Sequence, residues 1–275
     1  MDVLLSILLD KTYCSMDISS LVLNAISWAR EAGAVHRRYF RGNELNVTSK
    51  LNASDIVTAA DKAAEKLLID HIRQTYPEHS ILSEESGEED HAPEYRWVID
   101  PLDGTTNFSQ GLPVFCVSIG IEHNGDTIVG VVYDVYLDEL FHAVKGEGAY
   151  LNGEPIAVSS KTELATSVVT TGFPYDKGTT ADNNLDNAAR VMPLVRGLRL
   201  IGSAAMDLCY VAAGYLDGYW EINLHEWDVA AGLLILKEAG GEFTYFRSDR
   251  NVSVVASCPG IHKELLSLLS TEPGR

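Results

Sequence analysis

The chain reads as an α+β / layered α/β protein, with helices on an antiparallel sheet in its first half and alternating strands and helices in its second. Three observations predict this class. Two runs of helical period lead the chain, a succession of short β-like runs comes next, and beyond about residue 150 strand and helix signals alternate.

Leu21, Ala25, Trp28, Ala32, Val35 and Tyr39 recur at helical spacing after "DISS", whose aspartate and serines suit a helix N-cap. A second helical face, Ala60, Ala64, Leu67, Leu68 and Ile72, ends before Pro77. The β-like runs are "SILS" (80–83), "RWVID" (96–100), "VFCVSIGIEH" (114–123), "TIVGVVYDV" (127–135) and "ELFHAVKG" (139–146), separated by "NGD" and "DE" turns. From there the order is "SVVTTG", a helix near 180–192, "RLIG", the helix "SAAMDLCYVAAG", "YWEI", the helix "WDVAAGLLILKEAG", "VSVVAS" and a last helix from Ile261. The change of pattern near "YLNGEPI" divides the chain into 16–150 and 151–275, with no long linker and an expected shared interface. The opening "MDVLLSILL" lacks a basic flank and is too short to span a bilayer, so residues 1–15 read as an N-terminal appendage. A cytoplasmic protein is expected.

With 275 residues, 46% of them hydrophobic, the chain is long enough to bury a sizeable core. Its formal charge of −18 argues against nucleic acid or an anionic membrane as a partner, because phosphates would be repelled, and it permits cations. The 4 cysteines show no CxxC spacing and are expected to be reduced thiols.

The chemistry concentrates in "WVIDPLDGTTNF" (97–108). An apolar strand runs into Asp100 and Asp103, and Pro101, having no N–H, is expected to end its ladder. Asp, Pro and Gly are turn formers, so "DPLDG" alone reads as a turn. The next three residues argue for more than a turn: Gly104, Thr105 and Thr106 open a short helix, whose free N–H groups favour an anion. Two carboxylates about 4 Å apart repel by roughly 4 kcal/mol at an effective dielectric near 20, and a phosphate beside them would add to this. A divalent cation resolves the conflict, and for all-oxygen donors Mg²⁺ is the usual choice. Zinc or iron is disfavoured because no histidine stands near these aspartates at ligand spacing; His225, close to Asp228, reads as a packing residue. Two further acidic clusters, "SEES" (83–86) and "HEWDVAAG" (225–232), read singly as a solvated loop and a helix cap.

Taken together, "EES", "DPLDGTTNF", "GSAAMDLCYVAAG" and "WDVAAG", in that order, resemble the inositol monophosphatase family, within the lithium-sensitive, Mg²⁺-dependent phosphatases that include fructose bisphosphatases. The resemblance covers residues 16–270 and implies an αβαβα sandwich with its site between the two halves. It implies that Glu84, Asp100 and the carbonyl of Leu102 hold one Mg²⁺, and that Asp100, Asp103 and Asp228 hold a second. A third, weaker ion near Glu84 would make three. Leu102 is often isoleucine in relatives, which its carbonyl role tolerates, and Ser83 stands where a glycine is common.

The resemblance further implies hydrolysis of a small phosphate monoester by direct attack of a metal-activated water, aided by Thr105 hydrogen-bonded to Asp61, with Glu84 in the catalytic set and no phosphoenzyme. Substrate would meet Leu102, Asp103, Gly104, Thr105, Thr106, Gly202, Ser203, Ala204, Glu221 and Asp228, with Glu221 accepting from inositol hydroxyls. Inositol monophosphate is the expected substrate. Bisphosphate nucleotides, fructose bisphosphate, histidinol phosphate and NADP remain as alternatives, as does a protein-interaction module that has kept the fold. The complete acidic set argues for the enzyme, and family members are commonly homodimers.

Overall fold

The computed structural model of the chain describes residues 18–42, 45–50, 52–53, 55–89 and 94–269. The expected appendage, residues 1–15, lies outside them. In chain order the elements are α1 (Ile18–Tyr39), β1 (Thr48–Ser49), β2 (Ile56–Val57), α2 (Ala59–Thr75), β3 (Ser80–Ser83), β4 (Gly87–Glu89), β5 (Tyr95–Asp103), α3 (Thr105–Ser109), β6 (Cys116–His123), β7 (Asp126–Asp134), β8 (Glu139–Val144), β9 (Gly148–Leu151) and β10 (Glu154–Pro155). The second half contributes β11 (Val168–Thr171), α4 (Leu185–Val191), β12 (Gly197–Arg199), α5 (Ala204–Ala212), β13 (Gly218–Leu224), α6 (Glu226–Glu238), β14 (Glu242–Arg247), β15 (Val252–Ser257) and α7 (Pro259–Leu268).

An eight-stranded sheet has the order β10-β9-β8-β7-β6-β5-β3-β4 and a five-stranded sheet the order β12-β11-β13-β15-β14. The first is antiparallel except where β3 runs parallel to β5. In the second, β11 pairs parallel with β12 and β13, while β15 runs antiparallel to its neighbours. The short β1 and β2 pair separately.

Alternation along the strands dictates the layers. On β7, Val129, Val131 and Tyr133 face the core formed with α1 and α2, while Val132 faces the core formed with α5 and α6. The other face of those two helices packs on the five-stranded sheet, whose far side is covered by α4 and α7 around Trp220, Val255 and Leu265. The result is an αβαβα sandwich. Gly120 and Gly130, paired across β6 and β7, make the central layer close: a Cβ at Gly130 would stand 2.6 Å from the carbonyl oxygen of Ala231, and one at Gly120 2.9 Å from the Cβ of Ala230. Helix α6 therefore lies directly on the strands beside β5, which brings its first turn toward the end of that strand.

The expected end of β5 at Pro101 is corrected. The strand continues to Asp103, and the register steps from Asp100↔Ser118 to Asp103↔Cys116. One extra residue is absorbed as a bulge where proline has no N–H to give. The expected strand at "RLIG" likewise falls slightly earlier, at Gly197–Arg199. Among the described residues no helix is long and apolar enough to cross a membrane. Cys116, Cys209 and Cys258 are buried free thiols.

Candidate active site

The bulge in β5 redirects three groups at once. Asp100, 2% exposed, accepts the N–H of Leu102 at 3.0 Å, which folds the chain back on itself and turns the Leu102 carbonyl toward Thr105. Asp103 reaches across to the second half. Its Oδ2 accepts the Ser203 hydroxyl at 2.7 Å and the Ala205 N–H at 2.8 Å, so it caps α5 from outside that helix. Its other oxygen stays available.

Glu84 lies on the three-residue turn between β3 and β4, where Ser83 pairs with Gly87. Its carboxylate accepts Lys50 Nζ at 2.8 Å, and Glu85 accepts the same ammonium at 2.5 Å. Burial opposes the charge on Lys50, but Glu84 and Glu85 outweigh it and hold its pKa above the ordinary lysine range. Asp228 enters from the first turn of α6, where its Oδ2 accepts the N–H of His225 at 2.7 Å in a capping box. His225 stacks on Trp227 at 4.5 Å. The packing role read for that histidine and the cap read for that aspartate are thus both visible, and Asp228 keeps a second oxygen facing the other carboxylates.

Thr105 Oγ1 stands 3.1 Å from Asp61 Oδ1 and 3.0 Å from the Leu102 carbonyl, with one proton to share. Asp61 is fully buried at the start of α2, where it also accepts the backbone N–H and the hydroxyl of Thr58. Burial raises its pKa to about 6 against the pull of Thr58. Gly104 has φ of +91°, and a Cβ there would stand 2.9 Å from the Val114 carbonyl, so both backbone and space demand glycine. Thr106 is exposed at the pocket edge. Asn107 ties this loop to the next: its Nδ2 donates to the Ile201 carbonyl at 2.8 Å and to Val114 at 3.0 Å, beside Gly202, Ser203 and Ala204.

Glu221, on β13, accepts the Tyr219 hydroxyl at 2.8 Å and lies against the bare Cα of Gly172. Burial raises its pKa to about 7. The segment after β11 completes this wall. Burial first, and then Glu84, Asp228, Asp103 and Asp100, raise the pKa of Tyr175, and Lys177 exerts an opposing pull on Glu221. Outside the wall, Arg250 bonds Asp176 at 2.6 Å and Arg247 grips Asp182 with two bonds of 2.7 Å. Sequence reading missed Lys50, Tyr175, Lys177 and Asn107. For Tyr219 a signal existed, since residues i and i+2 share one face of a strand.

The electrostatics define what this pocket lacks. Burial raises the pKa of Asp100, Asp103 and Asp228, and mutual repulsion with Glu84 raises each further, Asp103 to about 6 and the other two well above the ordinary range. Glu84 and Asp100 come within hydrogen-bonding reach of each other. Two carboxylates in contact must share a proton or a cation. Among the described residues no three such side chains form a finished metal cage, and Glu84 is held by the ammonium of Lys50. The donor set, all oxygen and all anionic, fits a hard divalent cation that would take that ammonium's place.

A buried group of carboxylates from separate segments, at the seam between two sheets of an αβαβα sandwich, defines a layered α/β protein with an acidic site suited to phosphate ester chemistry. The chain belongs to the inositol monophosphatase family, whose sequence profile matches residues 17–272. It is 46% identical over 249 residues to the Nus factor SuhB of Pasteurella multocida, covering 88% of this chain and 93% of that one. It is 44% identical to the inositol-1-monophosphatase of Synechocystis, over 84% of this chain and 83% of the relative. The solved inositol monophosphatase of Anabaena superposes with a TM-score of 0.83 at 41% identity, over 94% and 98% of the two chains.

Proposed function

We propose that the chain hydrolyses a small phosphate monoester, foremost inositol monophosphate, in a Mg²⁺-dependent reaction with water as the nucleophile. The observation that carries this reading is the Thr105–Asp61 hydrogen bond of 3.1 Å beside the carboxylates of Glu84, Asp100, Asp103 and Asp228. The cation donors would be Glu84, Asp100, the Leu102 carbonyl, Asp103 and Asp228. When bound, Mg²⁺ supplies positive charge to the phosphate oxygens and acidity to a coordinated water.

The chain's own groups do the rest. Thr105 Oγ1 accepts a proton from the attacking water while donating its own to Asp61, whose pKa of about 6 suits it to take a proton near neutrality. The N–H groups of Gly104, Thr105 and Thr106 line the start of α3 and bind the phosphate oxygens. Asp103, fixed to α5 through Ser203 and Ala205, holds the two halves in register around the ester. Glu221 accepts hydrogen bonds from hydroxyls of the alcohol, with Tyr219 and Gly172 fixing where its carboxylate sits. The exposed Leu185, Met192, Leu194 and Leu200 support a homodimer.

A phosphate-release screen with Mg²⁺ over inositol monophosphate, fructose bisphosphate, histidinol phosphate, NADP and adenosine bisphosphate tests the substrate. Inositol monophosphate should give the highest kcat/KM; a tenfold preference, about 1.4 kcal/mol, for another of these would displace it. The Nus factor name of the Pasteurella multocida relative favours a second reading, in which the same fold also serves as a protein-interaction module. A Thr105→Val variant that loses turnover and keeps a cellular role would separate the two.

A further inference from the structure

We propose that Glu65 is a positioning residue that fixes the turn carrying Glu84, and so sets the affinity of the site for its cation; this rests on the reading of Glu84 as a Mg²⁺ donor.

Glu65 is on α2, 8% exposed, on the far side of the β3–β4 turn from Lys50. One of its oxygens, Oε1, accepts four hydrogen bonds: from the Ser83 hydroxyl, from the Ser86 hydroxyl at 3.1 Å, and from the N–H groups of Glu85 at 3.2 Å and Ser86 at 3.0 Å. These donors flank Glu84 on both sides in the chain. Glu84 has only a long backbone bond of its own, from its N–H to the Ile99 carbonyl at 3.3 Å.

Nothing else about this turn is built to be rigid. Strand β4 has three residues, none of them fully buried, and forms the edge of the eight-stranded sheet. Behind the turn lies a cavity of about 400 Å³, lined by Glu65, Ile69, Ile81, Ser86 and Gly87 among others. Close packing therefore does not hold the turn from that side, and the hydrogen bonds to Glu65 do. Ser83, which stands where a glycine is common in relatives, supplies one of them.

A carboxylate that orients a metal donor through hydrogen bonds is worth about 10–100-fold in metal affinity. The amide oxygen of glutamine can accept the same donors, whereas leucine leaves all of them unmatched beside the cavity.

The test is calorimetric titration of the full chain with Mg²⁺, without substrate, alongside a thermal melt in chelator that reports folding. Glu65→Leu should weaken Mg²⁺ binding about 10–100-fold, the double variant Ser83→Ala/Ser86→Ala about 3–10-fold, and Glu65→Gln by less than about threefold. Glu84→Gln is the reference, because it removes the donor itself. Wild-type affinity in a folded Glu65→Leu, with loss in Glu84→Gln, overturns the proposal alone. Wild-type affinity in Glu84→Gln overturns the reading of the site beneath it. Should Glu65→Leu fail to fold, the double variant decides: weakened binding supports the tether and unchanged binding refutes it. Equal weakening by Glu65→Gln and Glu65→Leu would make charge, not hydrogen bonding, the cause, and would overturn the proposal.

Discussion

Gly172→Ala should change which phosphate ester the protein prefers while leaving its fold intact. A methyl group there would overlap the end of the Glu221 side chain, since both carboxylate oxygens and the carbon between them lie inside contact distance of a Cβ built on Gly172. To regain an ordinary separation of about 3.5 Å the carboxylate must move by more than about 1 Å. That displacement gives up the 2.8 Å bond from Tyr219 and takes the carboxylate off the line of the substrate hydroxyls. It is cheap for folding, because the group that moves is the far end of a flexible side chain. A hydrogen bond to a charged group contributes about 1.5–3 kcal/mol, so kcat/KM for inositol monophosphate should fall roughly 10–100-fold. An aryl phosphate has no hydroxyls for Glu221 to meet, and its kcat/KM should stay within about twofold of wild type. Both substrates are assayed on one preparation by phosphate release, and a thermal melt checks the fold. Equal losses on the two substrates, or no loss on either, would refute the role given to Glu221.

The remaining predictions concern the metal and the proton. Thr105→Val keeps the shape of the side chain and removes the hydroxyl shared with Asp61, so kcat should fall about 100-fold or more with little change in Mg²⁺ affinity. Mg²⁺ at about 100 times its Kd should add about 2.7 kcal/mol of stability and raise Tm by roughly 5–10 °C, read by calorimetry against a chelated sample. That rise should itself depend on pH. Burial raises Asp61 and Asp103 to about 6 and Glu221 to about 7, so the metal-free folded chain keeps protons that the unfolded chain has released, and its carboxylates lose stability as pH rises through that range. Mg²⁺ relieves this by binding the ionised groups, so the Tm gain should grow from pH 5 to pH 7.5; buried histidines, whose lowered pKa values act in the opposite direction, are common to both samples and cancel. A gain that shrinks with rising pH would contradict the assignment.

The parts of the fold legible in the sequence are those in which each segment carries its own pattern. Trp97, Val98 and Ile99 sit together in an apolar run and are fully buried in β5. Ala60, Ala64, Leu68 and Ile72 mark one face of α2, and that face is buried. Strands specified by their neighbours were not legible. Strand β4 reads "GEE" and has no apolar signal, because its pairing is supplied by β3 and by Glu65. Strand β14 carries Tyr245, 57% exposed, at an edge where alternation is incomplete. The same division runs through the site. Asp100, Asp103 and Asp228 lie in motifs that can be read in one dimension, whereas Lys50 meets Glu84 and Glu65 meets Ser83 only because β3 runs between the segment after β1 and helix α2. The bulge at Pro101 belongs to both cases: proline announced a break in the ladder, but only the register with β6 shows that the strand continues through it to Asp103.

The most direct measurement of the central claim is phosphate release from inositol monophosphate by the wild-type chain, taken with Mg²⁺, then in excess chelator, then with Mg²⁺ restored. Turnover that falls to background in chelator and returns with the cation is the predicted result. Undiminished turnover in chelator, or no phosphate released from any small monoester with Mg²⁺ present, would contradict it.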